Sequence, residues 1–312
     1  MTRIALLLLL SWWMTPLLAQ QTETIYLDST DQSANLYVVV YPEQLPYKGV
    51  LFLIPGFAER PKHVLSETDL PKYAAQQGLL TVIPTFKTGV TSFGIDNATQ
   101  QSFREILEHV VFKFHLSPFK FYIGGFSIGG SCALRFAELA NQDDYQYKPT
   151  AVFAIDPPLD FERLYHSYKR NVRLAVKTRP NFESVYMIGR IEQEMGGSPE
   201  QARANYYQYS PYSFSDTTQT AIKSLLQTPI RIYTEPDINW WLTERGSDYS
   251  AINALDASCM MNELNRLGNK KACLITTQGK GFRKENNMRH PHSWNIVEAA
   301  ELVEWLFLQQ RP

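Results

Sequence analysis

The chain has 312 residues, 44% of them hydrophobic and 20% charged, with 30 basic residues set against 31 acidic ones. That composition excludes a disordered chain, a collagen-like repeat and a multi-span membrane protein, and suits one large α/β domain or a core carrying an insertion. A formal net charge of −1 lacks the basic excess that nucleic acid or an anionic membrane would require, so neither is expected as a partner.

Near the N-terminus, Arg3 precedes an almost wholly apolar run from Ile4 to Leu18, which Thr15-Pro16 interrupts before the small residue Ala19. This is the layout of a secretory signal peptide, cleaved near Ala19-Gln20 to give a secreted or periplasmic chain. The run is shorter than the roughly twenty apolar residues of a membrane span, and no stable membrane insertion is expected. The cysteines Cys132, Cys259 and Cys273 are odd in number, which excludes a full disulfide framework. Only Cys259 with Cys273 is worth considering as a pair. Neither Cys-x-x-Cys nor His-Glu-x-x-His occurs, so no metal is expected.

From Thr24 onward, strands and helices alternate. Thr24–Leu27 and Asn35–Tyr41 predict a hairpin, and the continuous apolar run Gly49–Ile54 predicts a strand buried on both faces of a parallel sheet. A helix is expected from about Glu67 to Gly78, then a strand over Leu79–Ile83 that Pro84 ends. Apolar residues at helical spacing predict a helix from Ala98 to Leu116. A strand at Phe119–Ile123, a helix at Ile128–Ala140 and a strand at Ala151–Ile155 follow. Between Pro157 and Thr228 helical segments occur without a buried strand. The alternation resumes with strands at Pro229–Thr234 and Ala272–Thr277 and helices around Tyr249–Leu267 and Ser293–Gln309. Such a pattern implies a mainly parallel sheet covered on both faces.

The sharpest motif is Gly125-Phe126-Ser127-Ile128-Gly129, flanked by Gly124 and Gly130. It falls between a predicted strand and a predicted helix, the turn at which a nucleophilic serine adopts strained backbone angles and large neighbours would collide. A serine hydroxyl needs a base, and the base needs an orienting group. His292, directly before the last helix, is preferred as base over His290. The acid is expected after the strand ending at Thr234, where Glu235-Pro236-Asp237 stands. Asp237, in the turn, is preferred over Glu235; Asp156 and Asp160, after the preceding strand, remain alternatives, with Asp156 the runner-up.

The order serine, acid, histidine, with this elbow, resembles the α/β-hydrolase superfamily of serine esterases and lipases over about Gly49 to Gln309. The resemblance implies a core of residues 20–156 and 229–312 and a helical lid-like insertion over 157–228. It also implies an oxyanion hole from the backbone N–H groups of Phe57 and Ile128. Pro55 stands where the superfamily often has His. The expected activity is hydrolysis of a small carboxylic ester or other acyl substrate through an acyl-enzyme on Ser127, with no cofactor. A serine peptidase or acyltransferase would use the same residues, and a binding protein could keep the same fold. The insertion is dense in Phe and Tyr, Tyr206-Tyr207-Gln208-Tyr209 above all. Those rings suit either a substrate-facing lid or the insertion's own core. Its basic set Arg163, Lys169, Arg170, Arg173, Lys177 and Arg179 reads as a solvated helix face.

Overall fold

The structure, a computed structural model, describes residues 21–28, 30–116, 119–175 and 181–309; the expected signal peptide lies outside them. β1 (Thr22–Tyr26) and β2 (Leu36–Val40) form the predicted antiparallel hairpin, Thr22 opposite Val40 and Tyr26 opposite Leu36. β3 (Gly49–Ile54) is buried along its whole length. Two short helices follow, α1 (Pro61–Glu67) and α2 (Leu70–Gln76), where the sequence suggests one. Each carries a proline in its first turn, where the missing N–H costs nothing. β4 (Leu79–Thr85) runs on through Pro84. Its register with β3 ends at Phe52 opposite Val82, so Pro84 removes no donor from that ladder.

The remaining elements keep the expected alternation. They are α3 (Asn97–Lys113), β5 (Phe121–Phe126), α4 (Ile128–Gln142), β6 (Ala151–Ile155), then α5 (Phe161–Leu174), α6 (Phe182–Met195), α7 (Pro199–Tyr209) and α8 (Thr220–Lys223). After β7 (Ile230–Thr234) come a short turn α9 (Ile238–Trp240), α10 (Ala254–Leu267), β8 (Ala272–Thr276) and α11 (Ala299–Leu308). A two-stranded hairpin, β9 (Phe282–Arg283) with β10 (Met288–Arg289), interrupts the last connection.

The large sheet has the order β1-β2-β4-β3-β5-β6-β7-β8. β1 and β2 are antiparallel additions, and every pairing from β4 to β8 is parallel. One face buries Phe103, Val110, Phe136 and Met260 of α3, α4 and α10. The other buries Val64, Leu70, Leu302 and Leu306 of α1, α2 and α11. Each such side chain contributes about 1.5–3 kcal/mol on burial. The chain moves from β3 outward to β4 and returns across β3 to β5. That reversal opens a crevice at the carboxyl ends of β3 and β5, where the residues after Ile54 and Phe126 lie.

Helices α5 to α8 stand between β6 and β7. Their attachment is polar and buried. Asp256 of α10 accepts from Arg163 Nε at 2.7 Å and from the backbone N–H groups of Leu159 and Asp160. Arg163 is therefore an ion-pair anchor rather than part of a solvated face, and Arg170 pairs with Asp248 at 2.8 Å. Lys177 and Arg179 lie outside the described residues. On the far side of the insertion, Glu194 of α6 accepts from Phe93 N–H at 3.3 Å, and Arg190 reaches the Thr91 carbonyl. Burial, reinforced by Asp96, pushes the Glu194 carboxyl up to about 7. A carboxyl raised in the folded state binds its proton more tightly there than when unfolded, so its contribution is present at acid pH and is lost as pH rises toward 7. Melting temperature is accordingly expected to fall between about pH 4.5 and 7. Glu194→Gln should flatten that slope, and an unchanged slope would assign it to other groups.

Candidate active site

Ser127 follows β5 and precedes the first residue of α4. Its backbone, φ 52° and ψ −125°, is strained for a residue with a side chain. The surrounding glycines are required by close packing. A Cβ on Gly129 would stand 2.2 Å from the Ile54 carbonyl oxygen, and one on Gly125 would stand 2.5 Å from it. The elbow is thus wedged against the end of β3, and only glycine lets it come so near. Ser127 N–H donates to the Ile155 carbonyl at 2.8 Å, which fixes the elbow to β6 as well.

Ser127 and His292 line one cavity of about 960 Å³. The His292 ring lies 4.5 Å from that of Phe126, the residue before the serine. Among the described residues no hydrogen bond joins the Ser127 hydroxyl to His292; such contacts commonly tighten only around substrate. His292 Nδ1 meets Asp156 Oδ2 at 2.6 Å. A carboxylate acceptor puts the ring proton on Nδ1 and leaves the Nε2 lone pair free.

The carboxylate beside the histidine is therefore Asp156, the alternative, and not the preferred Asp237. Asp156 is the first residue after β6 and has φ 46°, a left-handed conformation that aspartate tolerates better than most residues. It is buried, and its N–H and C=O are held by the Tyr233 carbonyl and the Asn253 amide. Asp237 is engaged elsewhere: Oδ1 caps α9 at Trp240 N–H, and Oδ2 accepts from Arg289 at 2.8 Å. Glu235, fully buried, pairs with the same arginine and accepts from Thr277 Oγ1 and from the N–H groups of Lys280 and Gly281. Both carboxylates after β7 hold the β9–β10 hairpin. Asp160, the other alternative, caps α5 and also binds Phe214 N–H. Burial and the nearby Asp256 push it up to about 6.

Phe57 and Ile128 both line the cavity. Ile128 opens α4, so its N–H has no acceptor within the helix. The loop after β3 is secured by Glu59, which sequence reasoning missed. Its carboxylate accepts from Gly56 N–H at 2.9 Å and from the Trp294 indole at 3.2 Å, while Ala58 N–H donates to the Val90 carbonyl. A glutamate three residues past a glycine is the only sequence trace of this brace.

The insertion reaches the cavity through α5 and α6, with Leu164, Tyr168, Phe182 and Met187 on its wall. Tyr206 is instead fully buried among Phe161, Tyr165 and Ile191, and its hydroxyl donates to the Gly197 carbonyl. Tyr207 bonds the Ser215 carbonyl. The 206–209 cluster packs the insertion, and the rings that meet the cavity lie upstream of it. The three cysteines are unpaired, so Cys259 and Cys273 form no disulfide. Among the described residues no helix is long and apolar enough to cross a membrane.

No protein-family model matches the chain, and no curated protein matches it in sequence. Solved structures do resemble it in shape. An S-formylglutathione hydrolase from Agrobacterium tumefaciens is 12% identical with a TM-score of 0.56, over 93% of this chain and 97% of that one. Carboxyl esterase 2 from the fungus Tuber melanosporum is 14% identical at 0.57, over 92% and 85%. A fluorophosphonate-binding serine hydrolase from Staphylococcus aureus is 13% identical at 0.53, over 92% and 98%. With the strand order above, these matches define the class: the chain has the α/β-hydrolase fold.

Proposed function

We propose that the protein is a serine hydrolase of carboxylic esters, with Ser127 as nucleophile, His292 as base and Asp156 as the orienting acid. The observation that carries this reading is the strained Ser127 elbow on the same cavity as a histidine whose Nδ1 is bonded to a buried aspartate. The Ser127 hydroxyl attacks the substrate carbonyl as His292 Nε2 takes its proton. Asp156 holds the imidazole in orientation and stabilises its charged form. The N–H groups of Phe57 and Ile128 receive the developing oxyanion, aided by the positive end of α4. His292 then returns the proton to the departing alcohol, and a water activated by the same histidine releases the acid. Every one of these steps uses groups of this chain.

Labelling by a fluorophosphonate probe, followed by a panel of chromogenic esters and aminoacyl amides, tests the reading. Probe labelling with turnover of esters is expected. Faster turnover of amides would make the protein a peptidase, and no labelling would make it a binding protein on a hydrolase fold.

Helices α5 and α6 act in this reading as the lid that shapes the acyl pocket. Met187→Ala should widen it and shift the preferred acyl length several-fold in kcat/KM. Tyr207→Ala, which removes a contact internal to the insertion, should leave the length profile as it was. The reverse pattern would assign the pocket to α7. Export is proposed as well: intact-mass measurement of the exported protein should find a chain starting near Gln20, and one that begins at Met1 would overturn this.

A further inference from the structure

Among the described residues, Arg283 is the one arginine that is neither exposed nor paired with a carboxylate. It lies on the wall of the Ser127 cavity with its guanidinium 5.6 Å over the Phe126 ring, the ring that also stacks on His292. Its strand is clamped from both ends. The buried Glu67 accepts from Lys284 and Glu285 N–H, and the buried Glu235 accepts from Lys280 and Gly281 N–H. A half-buried cation without a counter-ion is costly, and a rigid mount keeps it from reaching one in solvent.

A second arginine without a carboxylate partner, Arg245, lines the same cavity and stands 3.2 Å from His290 Nε2. His290 is pushed down to about 3, first by burial and then by Arg283, His292 and Arg245, so it stays neutral beside the two arginines. None of the cavity's carboxylates is paired with either arginine among the described residues. Asp156 is bonded to His292 and Glu59 to Gly56 and Trp294, while Glu183 and Glu244 are exposed.

We propose that Arg283, assisted by Arg245, binds a carboxylate carried by the substrate, so that the preferred esters bear a free carboxylate a few bonds from the scissile carbonyl. This rests on the serine hydrolase reading above. A guanidinium matches a carboxylate in planar, two-point geometry, and binding it near the ester positions the carbonyl over Ser127.

The test compares kcat/KM for 4-nitrophenyl monoglutarate and 4-nitrophenyl valerate, esters of like length that differ in one terminal charge. The wild type should prefer the monoglutarate by about tenfold or more at low ionic strength, a charge-assisted contact being large enough for that, with the preference shrinking as salt is added. Arg283→Gln should abolish most of the preference and Arg283→Lys should restore part of it. Arg203→Gln, an exposed site away from the cavity, should leave the ratio as in the wild type. Free glutarate should inhibit valerate hydrolysis competitively in the wild type, a readout that needs no variant to fold. Valerate turned over as fast as the monoglutarate, or a ratio indifferent to salt and to Arg283→Gln, overturns the carboxylate site and leaves the hydrolase reading standing. Failure of both esters together with no probe labelling overturns both.

Discussion

Ser127→Ala should remove fluorophosphonate labelling outright and lower ester kcat by about 10⁶, the scale found when a triad nucleophile is lost. The fold should survive. Ser127 side-chain atoms carry none of the bonds that hold the elbow, which come from its own N–H to Ile155 and from the glycines pressed against Ile54. The alanine even keeps the Cβ that the φ of 52° already accommodates. Circular dichroism and melting temperature close to wild type, with no adduct in the mass spectrum, are the expected pair of results. Labelling that persists at the wild-type level would place the nucleophile elsewhere.

The second large effect separates two aspartates. Asp156→Asn should lower kcat by about 10⁴, because an amide at that position favours the wrong imidazole tautomer and cannot stabilise the imidazolium. Asparagine accepts positive φ at least as readily as aspartate, so the backbone after β6 should stand. Asp237→Asn weakens the tie to Arg289 and the cap of α9. It should cost stability while leaving kcat within a few-fold of wild type. A collapse of kcat in Asp237→Asn with a mild Asp156→Asn would reverse the assignment.

Much of the scaffold was legible because hydrophobic continuity reports burial directly. Gly49–Ile54 and Ala151–Ile155 read as strands because both of their faces are covered, and they form β3 and β6 with those bounds. The elbow was legible because close approach to Ile54 leaves only glycine. The acid was harder. Asp156, Glu235 and Asp237 all follow strands, and local sequence does not say which faces the histidine. What decides is Arg289, some fifty residues downstream, which draws Glu235 and Asp237 to the hairpin. The hairpin itself has strands of two residues each, too short for a period of two to register. Helix α1 hid for a similar reason, seven residues being under two turns.

Placing the acid at the end of β6 has a consequence for the segment after β7. That segment carries no member of the proposed triad, yet Trp241, Arg245 and Ser247 lie on the cavity wall. Chemistry and recognition are thereby supported by different stretches of chain. Residues 241–247 can be lengthened, shortened or randomised to change what the pocket admits, while Ser127, His292 and Asp156 keep their own anchors on β5, β6 and the approach to α11. The connection after β7 is therefore the natural place for libraries, and for natural variation, that trade one substrate for another.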